Sequence, residues 1–364
     1  MSSLSDLGAL EALLKREIDL ASQPDRIDVW TLLWSDYKHR LAQTSAELHQ
    51  HRREYISALS TTLMTRLTAE KLISVFELAE LQARLSLRKR YDVLIVTPLE
   101  VERNAARVAI DAYLDLTPTE FLFRGIPILE WQLRLRDGLQ YRLGLCKVGK
   151  ARNVRMAVFC DRLFAGLDVG MCMLVGMAGG LPSEVKLGDV VAASTVLDYE
   201  GGSVVLGADG KEEHLPEILE ENVKFPLDNW LEGLDPNLHN LEAIRNRAID
   251  ILRRAKWTIP PGAEKDFKYN LGVVATGEKV RRDSMKVAEL SKEVDRKVYA
   301  VEMEAFGFAH ACEAARVPWA VFRGIADYQD MSKTKEWQPI ASLNAALTAM
   351  VWLVERVNYS ALPR

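Results

Sequence analysis

Two short runs hold the residues most able to do chemistry: Val301-Glu302-Met303-Glu304-Ala305, and, further on, Arg323-Gly324-Ile325-Ala326-Asp327. Each sets acidic side chains at the end of an apolar stretch of the kind that forms a buried element. One carboxylate can grip a vicinal diol through its two oxygens while another protonates a leaving group. That pairing suits cleavage of a sugar–base bond.

For these side chains to meet, the elements that hold them must lie side by side. From Tyr91 onward, strand-like apolar runs are predicted at 92–97, 141–148, 171–175, 189–197, 271–275, 299–301 and 317–325. Helical periodicity is predicted at 100–113, 151–164, 304–315 and from near Pro339 to about Val357. Strands alternating with helices argue for an α/β sheet covered on both faces. Such sheets bind ligands beyond the carboxyl ends of their strands. Four patches fall there: Thr97-Pro98-Leu99-Glu100-Val101-Glu102, Val175-Gly176-Met177-Ala178-Gly179-Gly180, Ala275-Thr276-Gly277-Glu278, and the Glu302/Asp327 pair. Gly176, Gly179 and Gly180 are expected to let backbone approach a flat ligand. Each patch also has an ordinary reading. Gly-Gly after a strand makes a turn, Glu100 and Glu102 suit the first turn of a helix, Glu302 or Glu304 can begin one, and Asp327 can cap one.

The first 90 residues differ in texture. They contain one glycine (Gly8) and one proline (Pro24) among many Leu, Ala, Glu, Arg and Gln, which predicts a bundle of about four helices. Leu7, Leu10, Leu13, Leu14 and Ile18 mark the first helix; Val29, Leu32, Leu33 and Tyr37 mark the second. Thr68 is the expected cap of the fourth. The chain therefore reads as a helical domain over 1–90 and an α/β domain over 91–364, with a charged, loop-rich insertion or lid at 201–268.

Composition excludes several functions. A formal charge of −4 offers no general attraction to nucleic acid. No apolar stretch approaches the roughly 18 residues of a membrane span. Cys146, Cys160, Cys172 and Cys312 have no metal or disulfide spacing and read as buried thiols of a reducing compartment. The charged N-terminus does not resemble a signal peptide, so a cytoplasmic protein is expected. His214, His239 and His310 are isolated, and neither a metal nor a cofactor is expected.

Taken in order, these motifs resemble the nucleoside phosphorylase/nucleosidase superfamily over about residues 91–355. The nearest likeness is to methylthioadenosine/S-adenosylhomocysteine nucleosidase. The matching runs are Leu99-Glu100-Val101-Glu102, Val148-Gly149-Lys150, Met177-Ala178-Gly179-Gly180-Leu181, Leu187-Gly188-Asp189-Val190-Val191, Thr276-Gly277-Glu278 and the two acidic runs above. The resemblance implies a three-layer α/β fold, a central mixed sheet flanked by helices, here preceded by the all-α bundle. It also implies roles. Glu304 resembles the carboxylate that accepts both ribose hydroxyls, with Glu302 beside it and Met303 packing under the sugar. Ala178 and Gly179 bind the substrate, Asp327 resembles the acid at purine N7, and Glu102 the base that activates water. An acid that donates must hold its proton, which apolar neighbours such as Ile325, Ala326 and Tyr328 favour, whereas Glu102 is expected to stay ionised.

Phosphorylases of the superfamily hold phosphate with arginines and a Ser or Thr before the Gly-Gly patch. This chain has Leu174-Val175-Gly176-Met177 there, and Glu102 would repel a dianion, so hydrolysis is expected. Arg103 and Lys150 are the residues through which a phosphate site could still arise. At the 5′ end, Lys279, Val280, Arg281 and Arg282 form a segment more basic than a thioether requires. Lys279, Arg281 and Arg282, with Lys211 of the lid, could meet 5′-phosphates or form a solvated face. The ligand expected is thus a small purine nucleoside or nucleotide, with no role for nucleic acid or membrane. The resemblance also implies a homo-oligomer. Members joined to helical adaptor domains resemble effectors of bacterial antiviral systems that destroy an adenine nucleotide such as ATP, which gives the first 90 residues a protein partner or a dimerisation role. Two alternatives remain open at this point: a phosphate-dependent purine nucleoside phosphorylase, and a nucleoside sensor without turnover.

Overall fold

The computed structural model describes residues 11, 14–15, 26–44, 59, 62–63, 65–68, 89–134, 140–150, 152–206, 212–224, 226–234, 241–278, 298–328 and 335–358. The chain divides into two compact units, Met1–Lys89 with Pro363–Arg364, and Arg90–Leu362.

In the first unit α1 (Ile27–Thr44) buries Trp30, Leu33, Trp34 and Tyr37, the i, i+3, i+4, i+7 stripe of an amphipathic helix. Trp34 stacks on Trp30 and on Tyr37 with ring centroids 5.5 and 5.3 Å apart. Leu59, Leu63 and Leu67 are buried in the same unit. Leu32 is 72% exposed, so it lies on the wet side of the helix, because the bulkier tryptophans on the opposite side bury more apolar surface. The first expected helix is described, as helix, at Glu11, Leu14 and Lys15, and the third at residues 59, 62–63 and 65–67, with Thr68 continuing that helical run; the rest of these helices and of the fourth lies outside the described residues.

The second unit begins with β1 (Lys89–Tyr91), β2 (Val93–Thr97) and α2 (Glu100–Leu114), followed by β3 (Thr119–Phe123), β4 (Ile126–Arg134) and β5 (Gln140–Lys147). Next come α3 (Asn153–Phe164), β6 (Leu167–Val169), β7 (Cys172–Gly180) and β8 (Val190–Asp198). The segment 201–268 contributes β9 (Gly202–Leu206), β10 (Glu212–Pro216), β11 (Leu219–Asn222), α4 (Leu227–Leu231) and α5 (Leu241–Arg254). The unit ends with β12 (Tyr269–Thr276), β13 (Val298–Glu302), α6 (Ala305–Ala315), β14 (Trp319–Asp327) and α7 (Gln338–Glu355).

A 10-stranded mixed sheet has the order β11-β8-β12-β13-β7-β2-β5-β4-β3. The strand β14 lies off that path, parallel to β7 and antiparallel to β8, so β8, β12, β13, β7 and β14 close into a ring. Every residue of β14 is buried, as its continuous apolar run requires. Residues 339–353 of α7 are also all buried; this helix packs on β14 and β7 and is covered in turn by α2 and α5. A second helical pair, α3 and α6, packs together. Part of the 201–268 segment is built into the domain rather than laid over it. Strand β11 extends the sheet beside β8, and α5 sends Arg245 inward, where its Nε donates to Asn344 Oδ1 at 2.8 Å. The hairpin β3–β4 is absent from the sequence expectations, because β3 is half-buried or exposed throughout and the buried residues of β4 (Ile128, Leu129, Trp131 and Leu133) are interrupted by polar ones. The four cysteines are free and buried. Among the described residues no helix is long and apolar enough to cross a membrane.

Candidate active site

Register places the acidic runs on either side of one strand end. Gly179 of β7 is paired with Val301 of β13 on one margin and with Asp327 of β14 on the other. Glu302 and Glu304 therefore flank the Ala178-Gly179 end of β7 from one side and Asp327 closes it from the other. Asp327 is 8% exposed, beside fully buried Ile325 and nearly buried Ala326. Half-buried Met303 lies between the two glutamates.

Arg323, four residues before Asp327 on β14, links the acids. It is wholly buried; Nη2 forms a close ion pair with Glu302 Oε2 and lies 3.3 Å from Glu304 Oε2, and Nη1 lies 3.8 Å from Glu102 Oε1. An arginine in the middle of an apolar strand is costly unless paired, and that cost was the one signal in the sequence for this residue. In the sequence it stands within the second acidic motif with no role of its own.

The three glutamates are held differently. Glu302 accepts from Thr276 Oγ1 at 2.7 Å, from the Glu304 N–H at 3.0 Å and from the Ala305 N–H at 2.9 and 3.1 Å. With Arg323 added, both its oxygens are occupied, so it braces the turn into α6. Glu304, the residue that caps α6, accepts the Arg152 N–H at 3.1 Å through Oε1 and Arg323 through Oε2. Glu102 sits in the first turn of α2; Oε2 accepts the Leu99 N–H at 2.7 Å and Oε1 the Met177 N–H at 2.9 Å.

Three buried carboxylates share one guanidinium, so full ionisation would leave a buried cluster with net negative charge. Burial, reinforced by Glu302, pushes Glu304 well above the ordinary carboxylate range. Burial likewise raises Glu102 to about 7, against the opposing pull of Arg323 and its two backbone donors. Glu102 is therefore poised between charged and neutral near pH 7, where sequence reasoning expected a permanent anion. Burial opposes the charge on Arg323, but the glutamates outweigh it and its proton is held more tightly than usual.

Gly176 and Gly180 serve packing rather than approach to a ligand. A Cβ at Gly176 would lie 2.3 Å from Glu102 Oε1 and 2.6 Å from Arg323 Nη1, and one at Gly180 would strike Val185 and Ile325. Gly176→Ala is expected to cost about 1–3 kcal/mol, the range for overpacking a rigid interior, as read by a lower urea midpoint. Unchanged stability would mean that the Glu102–Arg323 contact is loose. Lys279, Val280 and Arg281 lie outside the described residues, as do Arg282 and Lys211. Arg103 points to acids, 3.5 Å from Glu100 and 4.0 Å from Glu120. Among the described residues no cluster of His, Cys, Asp and Glu could hold a metal.

Residues 100–357 match the model of the family described as the Phosphorylase superfamily. Among characterised proteins, ATP nucleosidase Cap17 of Escherichia coli is 27% identical over 272 residues, 72% of this chain and 50% of that protein. A 5′-methylthioadenosine/S-adenosylhomocysteine nucleosidase of Exiguobacterium is 26% identical over 179 residues, 48% of this chain and 64% of that protein. The chain thus spans about half to two thirds of the length of these relatives. The fold is shared with the 5′-methylthioadenosine/S-adenosylhomocysteine nucleosidase of S. pneumoniae, at a TM-score of 0.51 and 17% identity over 72% of this chain and 97% of that one. The Helicobacter pylori nucleosidase gives a TM-score of 0.50 and 16% identity over 72% and 98%.

Proposed function

Because the chain belongs to the Phosphorylase superfamily, we propose that it hydrolyses the bond between adenine and ribose in an adenine nucleoside or nucleotide. The observation behind this reading is the buried Glu102–Arg323–Glu304 group beside the strand end that Asp327 closes. In this scheme Ala178 and Gly179 back the base, Met303 lies under the sugar, and Glu304 accepts hydrogen bonds from the ribose diol. Asp327 gives its proton to N7 as the C1′–N9 bond breaks. A water adds to C1′ from the opposite face and yields its proton to Glu102. Arg323 Nη1, which has no hydrogen-bond acceptor among the described residues, steadies the oxygen of that water in this scheme. The products are free adenine and the ribose or ribose phosphate.

The excess of acid over base around Glu102 favours water over phosphate. Three glutamates and one arginine cannot compensate a dianion, and the neighbouring strand offers Leu174, Val175 and Met177. Adenine release is expected to proceed in phosphate-free buffer. Strict dependence on phosphate, with ribose 1-phosphate as product, would make the protein a phosphorylase.

Water activation requires Glu102 in its charged form. With that carboxyl raised to about 7, its ionisation is expected to bend the kcat/KM profile near neutrality, and Glu102→Gln to remove that bend. A profile flat from pH 5 to 8 would remove Glu102 from the role of base.

The likeness to an ATP nucleosidase, together with the separate N-terminal unit, supports a wider reading. The enzyme acts in the cytoplasm as a homo-oligomer that depletes an adenine nucleotide in antiviral defence, and its N-terminal unit, with residues 91–364 as the catalytic domain, recruits a protein partner or assembles copies. Sedimentation of the full chain as a monomer, with no partner recovered on affinity capture, would remove both roles from that unit.

A further inference from the structure

We infer that Lys150 and Arg152 form a subsite for the 5′-phosphates of a nucleotide; this rests on the reading of Glu304 as the carboxylate that grips the ribose diol. The stretch leaving β5 crosses from the Glu102 side of the site to the Glu304 side. Val148 and Gly149 donate to the carbonyls of Thr97 and Pro98 at 3.0 and 2.9 Å, and Arg152 donates to Glu304 Oε1 at 3.1 Å. Asn153 then fastens it. Its N–H donates to Glu278 Oε1 at 3.2 Å, and its Oδ1 accepts the Gly307 N–H at 2.9 Å.

Exposure decides which end of the nucleotide meets this stretch. Around Glu304, the residues Glu102, Glu302, Ala305 and Arg323 are buried, and so is Asp327, which takes the base. Lys150 and Arg152 are exposed. A ribose held by Glu304 with its base toward Asp327 and its reacting face toward Glu102 directs its remaining substituent, the 5′ carbon, to the exposed side.

The charge there is uncommitted. Lys147 is paired with Glu100, and Arg103 lies against Glu100 and Glu120, but among the described residues neither Lys150 nor Arg152 forms an ion pair. The acids bonded to this stretch, Glu278 and Glu304, meet its backbone N–H groups. Arg152 also has φ 122° and ψ 147°, a region that is nearly confined to glycine. Holding Glu304 needs only the N–H of residue 152, which a glycine would supply without strain. What arginine adds is a guanidinium, a fork that matches phosphate oxygens. A 5′-hydroxyl or thioether would have no use for it.

The test measures kcat/KM for ATP and for adenosine, and their equilibrium binding by calorimetry, in the full-length protein and in Lys150→Gln, Arg152→Gln, Arg152→Gly and the double Gln variant. The ATP-to-adenosine ratio is expected to fall about tenfold for each charge removed, by loss of a charge-assisted hydrogen bond. Arg152→Gly suits the observed φ, so a loss of the ratio in that variant cannot be laid to misfolding. A ratio that moves less than twofold in the double variant, or a wild-type protein that prefers adenosine to ATP, would overturn the subsite. If wild-type protein releases adenine from neither compound, the hydrolase reading fails instead. The calorimetric ATP-to-adenosine affinity ratio in the double variant then decides the subsite alone.

Discussion

Asp327→Asn is expected to slow adenine release by about 10²–10⁴-fold, the usual contribution of a positioned general acid, while ligand affinity stays within a few-fold of wild type. The substitution keeps the shape of a side chain that is buried at the end of β14 and register-paired with Gly179. It removes only the transferable proton. Single-turnover release of adenine, set beside calorimetric binding of the same substrate, separates the two effects. A substrate in which purine N7 is replaced by C–H should be inert with both proteins, because the acid then has no lone pair to protonate. Release by Asp327→Asn within tenfold of wild type would assign the acid to another group. Wild-type protein that binds adenine nucleosides and nucleotides but never releases base would be a sensor built on a nucleosidase fold.

The second large effect is structural. Arg323→Met should destabilise the α/β unit by about 3–5 kcal/mol at neutral pH, because it strands buried carboxylates that had one cation among them. The penalty should shrink in acid. Without the guanidinium, burial still favours the neutral forms of Glu102 and Glu304, so both bind protons more tightly folded than unfolded. Their protonated forms are favourable below the unfolded carboxylate range near 4.5, and stability falls as pH rises through the higher folded values. Urea unfolding of the variant at pH 5 and pH 8 reads the sign directly. A loss under 1 kcal/mol, or one larger at pH 5, would mean that water or another cation neutralises the cluster.

Much of this architecture is legible in the sequence, for a physical reason. Strands buried on both faces have to be apolar throughout, so runs such as Met171-Cys172-Met173-Leu174-Val175 announce themselves. The order of the carboxylate motifs along such runs then points to one corner of the sheet. Less visible was anything set by partners distant in sequence. Glu302 and Glu304 look alike on paper. Only Thr276, the Ala305 N–H and Arg323 make one a brace, while the Arg152 N–H falls on the other. Gly176 reads as a ligand-facing glycine until Glu102 and Arg323 are seen to fill its Cβ position. The state of Glu102 depends on how completely it is buried, which no local pattern encodes. The β3–β4 hairpin escaped notice because β3 is a half-wet edge that needs no apolar run, and in β4 polar residues break up the buried ones.

The double margin of β14 has a mechanical consequence. Its backbone is laddered to β7 along one side and to β8 along the other, and the Ile325 N–H and carbonyl are both engaged, with Asp189 and Gly188. Shifting Asp327 would mean tearing two seams at once, whereas Glu304 is tied down by an arginine and one amide of a strained loop. In the proposed scheme the proton donor is then an anvil and the sugar grip a hinge. Amides of residues 322–325 should thus exchange with deuterium only through global opening, and that of Arg152 through small, frequent excursions that a bound nucleotide suppresses.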